Sequence, residues 1–169
     1  MRSANGQILG DGFFLPTFKV LNPPRSASPQ HPTNAEFAEL GRMPGYDLGL
    51  PDNGLHPGST FTLTLYYQAQ ESTPVDYTQF VHLSDGLNMI AQYDGQPQQG
   101  ANPTSAWIPG ELIVDEIQLQ IDENAAPGEY QLATGLYDAA ASGARLNLYG
   151  ADGQPIPDDA LLLAELTVE

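Results

Sequence analysis

The sequence predicts an all-β protein, an antiparallel β-sandwich of two sheets, and three observations carry that prediction. Apolar residues recur with period 2 rather than 3.6 in most of the apolar runs. Pro-Gly pairs begin at residues 44, 57, 109 and 127 and Asp-Gly pairs at 11, 85, 94 and 152, the chemistry of type II and type I′ turns. No amphipathic helix separates the runs, so the crossover helices that a parallel sheet requires are missing. About eight short strands at this spacing give an immunoglobulin-like or jelly-roll-like sandwich. A chain of 169 residues suits one such domain, with enough core to stand without disulfides.

Residues 1–35 read as an N-terminal extension, and residues 36–169 as a single sandwich domain. Within the extension, Leu21 to Ala35 holds four prolines and several small polar residues, leaving little apolar surface to bury, and reads as a linker or long Pro/Ser-rich loop. Two short apolar pieces flank it, Phe13 to Val20 and Glu36 to Leu40, and either can dock as an outer strand. From Gly41 onward turn chemistry and strands alternate. In Thr60 to Tyr67, Phe61, Leu63, Leu65 and Tyr67 share one face and the threonines with Tyr66 the other, which predicts a half-buried strand. Tyr77 to Ser84 is more uniformly apolar, as a strand covered on both sides would be. Asn88 to Tyr93 follows across Asp85-Gly86 as the second arm of a hairpin. Glu111 to Ile121 alternates Ile117, Leu119 and Ile121 with Gln118 and Gln120, and Glu129 to Asp138 alternates Tyr130, Leu132 and Leu136 with polar or small residues. At the end, Leu162, Ala164, Leu166 and Val168 against Glu165 and Thr167 favour a closing strand over a terminal helix.

Charge and composition exclude several functions. Five Lys and Arg against 21 Asp and Glu give a net charge of −16, which repels phosphate backbones and anionic headgroups, so nucleic acid is not an expected partner. No apolar run reaches the roughly 20 residues of a membrane-spanning helix, so direct membrane insertion is not expected either. No basic segment followed by an apolar one stands at Met1, so any export signal or anchor is expected outside this chain. Cysteine is absent, which removes thiol nucleophiles and thiolate metal sites together. The hydrolase elbow, the H-E-x-x-H zinc motif, the Walker loop and the dinucleotide loop are all missing. His31, His56 and His82 lack the local spacing that presents two imidazoles to one metal. The chain is therefore expected to be non-catalytic and to need no cofactor. A glycan hydrolase would require a cleft with two facing carboxylates.

Two groups of residues stand out as candidate sites. Gln92 to Glu111 packs Tyr93, Asp94, Gln96, Asn102 and the only tryptophan, Trp107, into one long connection, and long loops on rigid sandwiches carry binding groups. Trp107 can stack on a sugar ring while Asp94, Gln96 and Asn102 bond its hydroxyls. Equally, Trp107 can plug the end of the core while the prolines and glycines steer a crossover between sheets. Asp85, Asp94 and Asp115 offer the hard oxygen ligands that calcium prefers, although the EF-hand spacing is missing and an aspartate in an Asp-Gly turn ordinarily bonds its own backbone.

The pieces Gly45-Tyr46-Asp47-Leu48, Leu63-Thr64-Leu65-Tyr66-Tyr67 after Pro57-Gly58, Asp76-Tyr77-Thr78-Gln79-Phe80-Val81-His82-Leu83, Asp94-Gly95-Gln96-Pro97, Pro103-Thr104-Ser105-Ala106-Trp107, Pro109-Gly110-Glu111 and Gly135-Leu136-Tyr137-Asp138 follow one another in a distinctive order. From about Glu36 to Glu169 this order resembles the C-terminal extracytoplasmic β-sandwich domain of bacterial membrane glycosyltransferases of the protein-mannosyltransferase-like type, or a related surface sandwich module. The resemblance implies an accessory domain outside the cytoplasm whose partners are carbohydrate or the membrane part of a parent transferase. The transferase's own carboxylates and lipid-phosphosugar site would lie in membrane segments this chain does not contain. A structural or protein-interaction module of a surface protein is the alternative.

Overall fold

A computed structural model of the chain describes residue 19 and residues 27–169. The expected strand at Phe13 to Val20, apart from Lys19, and the first part of the Pro-rich segment lie outside the described residues. Alternation is complete along β3 (Thr60–Ala69): Phe61, Leu63, Leu65, Tyr67 and Ala69 are buried, and the residues between them are not. β3 pairs without interruption with β6 (Leu112–Gln120) and, on its other side and with one register shift, with β2 (Gly41–Gly49). β1 (His31–Phe37) pairs with β2, and the two-residue β8 (Leu148–Tyr149) completes a five-stranded sheet of order β6-β3-β2-β1-β8. The second sheet has the order β5-β4-β7-β9, from β4 (Thr78–Ser84), β5 (Met89–Gly95), β7 (Gly128–Tyr137) and β9 (Leu161–Val168).

All ladders are antiparallel, and the described residues contain no α-helix, only three short 3-10 segments. The inward rows Phe61 to Ala69 and Ile113 to Leu119 of one sheet meet Val81, Leu83, Leu132, Leu136, Leu163, Leu166 and Val168 of the other in one apolar layer. The predicted antiparallel two-sheet sandwich is therefore the observed fold. Trp107, 3% exposed, sits in this layer against Tyr67 with ring centroids 5.4 Å apart.

Four local readings are corrected. β1 starts at His31, inside the segment read as loop; Pro32 borders a bulge where Asn34 turns left-handed (φ 53°), so the missing amide hydrogen is tolerated. Pro44-Gly45 does not reverse the chain. It lies within β2, at a register shift against β3, and Gly45 is packed so closely on the His31 carbonyl and the Pro29 ring that a side chain there has no room. Asp94-Gly95 ends β5 still paired with Phe80 and Gln79 rather than forming a hairpin turn. In β9 an extra residue opposite Leu132 and Ala133 breaks the alternation, turning Leu163 inward and leaving Leu162 49% exposed.

Phe80 belongs to the outer face of β4, out of phase with Val81 and Leu83, and yet is buried. Its ring lies over Gly135 of β7, where an added Cβ would stand 2.6 Å from the ring and 2.7 Å from the Asp159 carbonyl. A backbone oxygen cannot yield as a flexible side chain can. Gly135→Ala is expected to lower unfolding stability by about 1–3 kcal/mol, read from the shift in urea midpoint at an unchanged slope.

Candidate functional site

The β5–β6 connection crosses from one sheet to the other, and its polar groups are largely spent on holding that crossing in place. Asp115 of β6 points into the core and is 1% exposed. Its Oδ1 accepts the Gln98 backbone N–H at 2.9 Å and its Oδ2 accepts the Gln79 side-chain amide at 3.0 Å, while the Tyr67 hydroxyl donates to Gln79 Oε1 at 2.5 Å. One hydrogen-bonded chain thus joins β3, β4, β6 and the crossing segment, where Gln98 and Gln99 both turn left-handed (φ 53° and 55°). The Gln98 side chain reaches out to donate to the Val114 carbonyl at 2.9 Å. Burial raises the Asp115 carboxyl above its usual range against the two bonds that lower it, and burial first, then the Asp115 charge, pushes the Tyr67 hydroxyl well up.

The five residues proposed for the binding loop do not converge. Trp107 is closed to solvent and its Nε1 donates to the Asn102 carbonyl at 2.9 Å, so the ring offers no stacking face; of the two accounts of this residue, the core plug is the one observed. The Asn102 side chain bonds Lys19 at 2.7 Å and Glu111 at 3.2 Å, with Lys19 also 2.6 Å from Glu111. Tyr93 packs against the core beside the Gln96 backbone. Asp94 faces the other way, on the outer surface of the second sheet. The three calcium candidates are likewise apart: Asp85 occupies the β4–β5 turn and accepts the Leu87 and Asn88 amides, Asp94 sits at the far end of that hairpin, and Asp115 is within the core. The described residues hold no group of three or more His, Asp or Glu side chains placed for a metal. His31 stacks on Tyr46, His56 bonds the Asn53 and Glu169 carbonyls, and His82 lies on the outer sheet face with Asp94.

That outer face carries the site which sequence reasoning only touched. Antiparallel pairing sets Asp94 opposite Phe80, and Phe80 opposite Gly135, so β5, β4 and β7 bring Asp94, Phe80, His82 and Tyr137 together. The turn after β7, tied by Asp138 accepting the Ala140 and Ala141 amides, then delivers Arg145. Its guanidinium lies 4.5 Å above the Phe80 ring and donates to the Asp158 carbonyl at 2.8 Å. The Tyr137 hydroxyl donates to Asp94 Oδ1 at 3.1 Å, and Asp94 Oδ2 stands 4.0 Å from His82 Nε2. Phe80, His82, Asp94, Tyr137, Gly143 and Arg145 line an open recess of about 230 Å³. Phe80, Tyr137 and Arg145 were missed as site residues. The available signal was an aromatic in the outward phase of a strand, together with one of only five cations on a strongly acidic chain.

Compared with known proteins, the sequence matches no protein-family model and no curated protein.

Two predictions follow from these environments. Asp115→Ala leaves the Gln98 amide and the Gln79 side chain without an acceptor and should cost about 2–3 kcal/mol in denaturant unfolding. Asp115→Asn keeps an acceptor for Gln98 and costs less. The raised Asp115 carboxyl also sets a sign: its contribution to stability is full below the unfolded aspartate range and is lost as pH rises through the folded value. His56 and His82 should titrate on opposite sides of the ordinary value of about 6.5 in an NMR pH series. Carbonyls of Asn53 and then Glu169 favour the charged form of His56 and raise it. Desolvation, with Arg145 adding to it and Asp94 opposing, lowers His82. Stability linked to His56 is therefore lost as pH rises through its folded value, and that linked to His82 is lost as pH falls through its own. A His82 midpoint above that of His56 would contradict this account.

Proposed function

We propose that the chain is a non-catalytic accessory β-sandwich of a membrane glycosyltransferase-like protein, working outside the cytoplasm and contacting carbohydrate. The motif order of residues 36–169 supports the transferase association and the location. The observation that carries the carbohydrate part is the outer-face recess, where the Tyr137 ring, one carboxylate, one guanidinium and one imidazole stand side by side over the buried Phe80. This is a binding composition, and the recess contains a single carboxylate rather than the facing pair that glycoside hydrolysis uses. A second hollow, of about 440 Å³, is lined by Glu36, Glu39 and Glu71. Their side chains are exposed on a chain of charge −16, which fits a solvated acidic face. No helix among the described residues is long and apolar enough to cross a membrane.

One observation favours the protein-interaction alternative. Leu87, at the tip of the β4–β5 turn, is 93% exposed, and Met89 beside it is partly so. An apolar tip of this kind suits a small contact with another protein.

The full chain, screened against a panel of neutral and acidic oligosaccharides by calorimetry, is expected to bind members of the panel with millimolar to micromolar affinity. Fluorescence of the buried Trp107 should change little on binding. A panel with no binder would remove the carbohydrate part of this reading and leave the interaction role.

A further inference from the structure

Phe80 is 2% exposed, yet it lies outside the main core, in a satellite cluster on the outer face of the second sheet. The fold therefore spends a buried ring, a tight glycine at 135 and a backbone acceptor at Asp158 on fixing the Arg145 guanidinium at the surface. The Phe80 ring lies beneath it, with Tyr137 at 6.4 Å and His82 at 4.9 Å from Phe80 as its aromatic neighbours. Beside them, the 4.0 Å between Asp94 Oδ2 and His82 Nε2 is wider than a hydrogen bond, so the carboxylate keeps a free acceptor with a donor-capable nitrogen close to it. Desolvation lowers the imidazole and so favours its neutral form, which presents an N–H without adding charge.

The geometry points to this recess as the binding site for a single neutral sugar ring, a deduction that rests on the carbohydrate reading given above. A hydroxyl group both donates and accepts, and here an acceptor, Asp94, and donors, Arg145 and His82, lie along one rim; adjacent hydroxyls of a pyranose can use both kinds at once. The C–H face of the sugar packs on the half-buried Tyr137 and His82 rings, since Phe80 is itself closed off beneath the Arg145 guanidinium. Charge narrows the class. Asp94 and Arg145 offset each other within the recess, so it presents no net charge for an ionic sugar to pair with, and the net charge of −16 repels an anionic one. Size narrows it further, since about 230 Å³ is less than the roughly 300 Å³ at which drug-sized pockets begin.

The test is a two-dimensional amide NMR titration of the full chain at pH 7 with the methyl glycosides of glucose, mannose and galactose, and with sialic acid as the anionic comparison. Shifts from at least one neutral glycoside are expected at residues 80–82, 94, 137 and 143–145. Asp94→Ala, at an exposed position whose folding the same spectra verify, is expected to weaken that binding at least tenfold. Tyr137→Phe, which keeps the ring and loses one bond to Asp94, is expected to weaken it less. Shifts elsewhere on the molecule, with Asp94→Ala binding as wild type, would overturn this site and leave the carbohydrate reading standing. Binding of oligosaccharides in calorimetry without any shift in the recess would do the same. Tighter binding of sialic acid than of every neutral glycoside at these residues would overturn the ligand class. If neither the oligosaccharides nor the glycosides bind, both readings fail together.

Discussion

Two sheets can share one apolar layer only if every strand keeps its inward side chains in phase, and this constraint organises the whole molecule. Between β3 and β6 the phase holds over nine consecutive pairs without repair. The β4–β7 ladder is likewise unbroken, whereas other ladders slip and are corrected by bulges, in β1 and β2 around Pro32 and Pro44, at the turn end of the β4–β5 hairpin and opposite Leu132 in β9. A one-residue slip without such a correction would put an entire row on the wrong side. The extra residues are thus what allow a sequence with so many prolines to close a sandwich.

Inside that layer the protein accepts one costly feature, the chain from Tyr67 through Gln79 to Asp115. A buried carboxylate is unfavourable alone, and here both its oxygens are satisfied, one of them by the backbone of the crossing segment. The bond fixes where the chain leaves β5 and how it enters β6, and it holds two left-handed glutamines in a conformation they would otherwise seldom adopt. The long connection that looked like a binding loop is consequently committed to architecture, with Trp107, Asn102, Glu111 and Lys19 bonded or packed among themselves. Asp94, whose Oδ2 accepts no hydrogen bond among the described residues, lies instead on the outside of the second sheet.

The strands with uninterrupted alternation were legible from the residues alone, because period 2 is a local property. Phe61 to Tyr67 and Ile117 to Ile121 declare their faces without reference to any partner. β2 was hidden because Pro44-Gly45 has the same chemistry whether it turns a chain or bulges a strand, and only pairing on both sides distinguishes the two. β8, at two residues, carries no period at all. The recess was illegible for a different reason. Its members come from β4, β5, β7 and the turn beyond, as far apart as Phe80 and Arg145, and they meet only through inter-strand register, which no local pattern encodes. Asp94 was picked out, but among loop neighbours that face away from it. His82 was read as a polar residue on a strand face, which is its position; the ring beneath the guanidinium and the carboxylate beside it were the missing context.

The reach of the Gln98 amide to the Val114 carbonyl bears on how these molecules behave towards one another. β6 is the last strand of its sheet, and its outward backbone groups would otherwise be open to hydrogen bonding with a strand from a neighbouring copy. By occupying one of those carbonyls and laying a left-handed kink across the margin, the crossing segment interrupts the template on which fibrils grow. The same buried carboxylate that anchors Gln98 thereby shapes the margin of the sheet, where a bond made in the interior decides which backbone groups stay open at the rim.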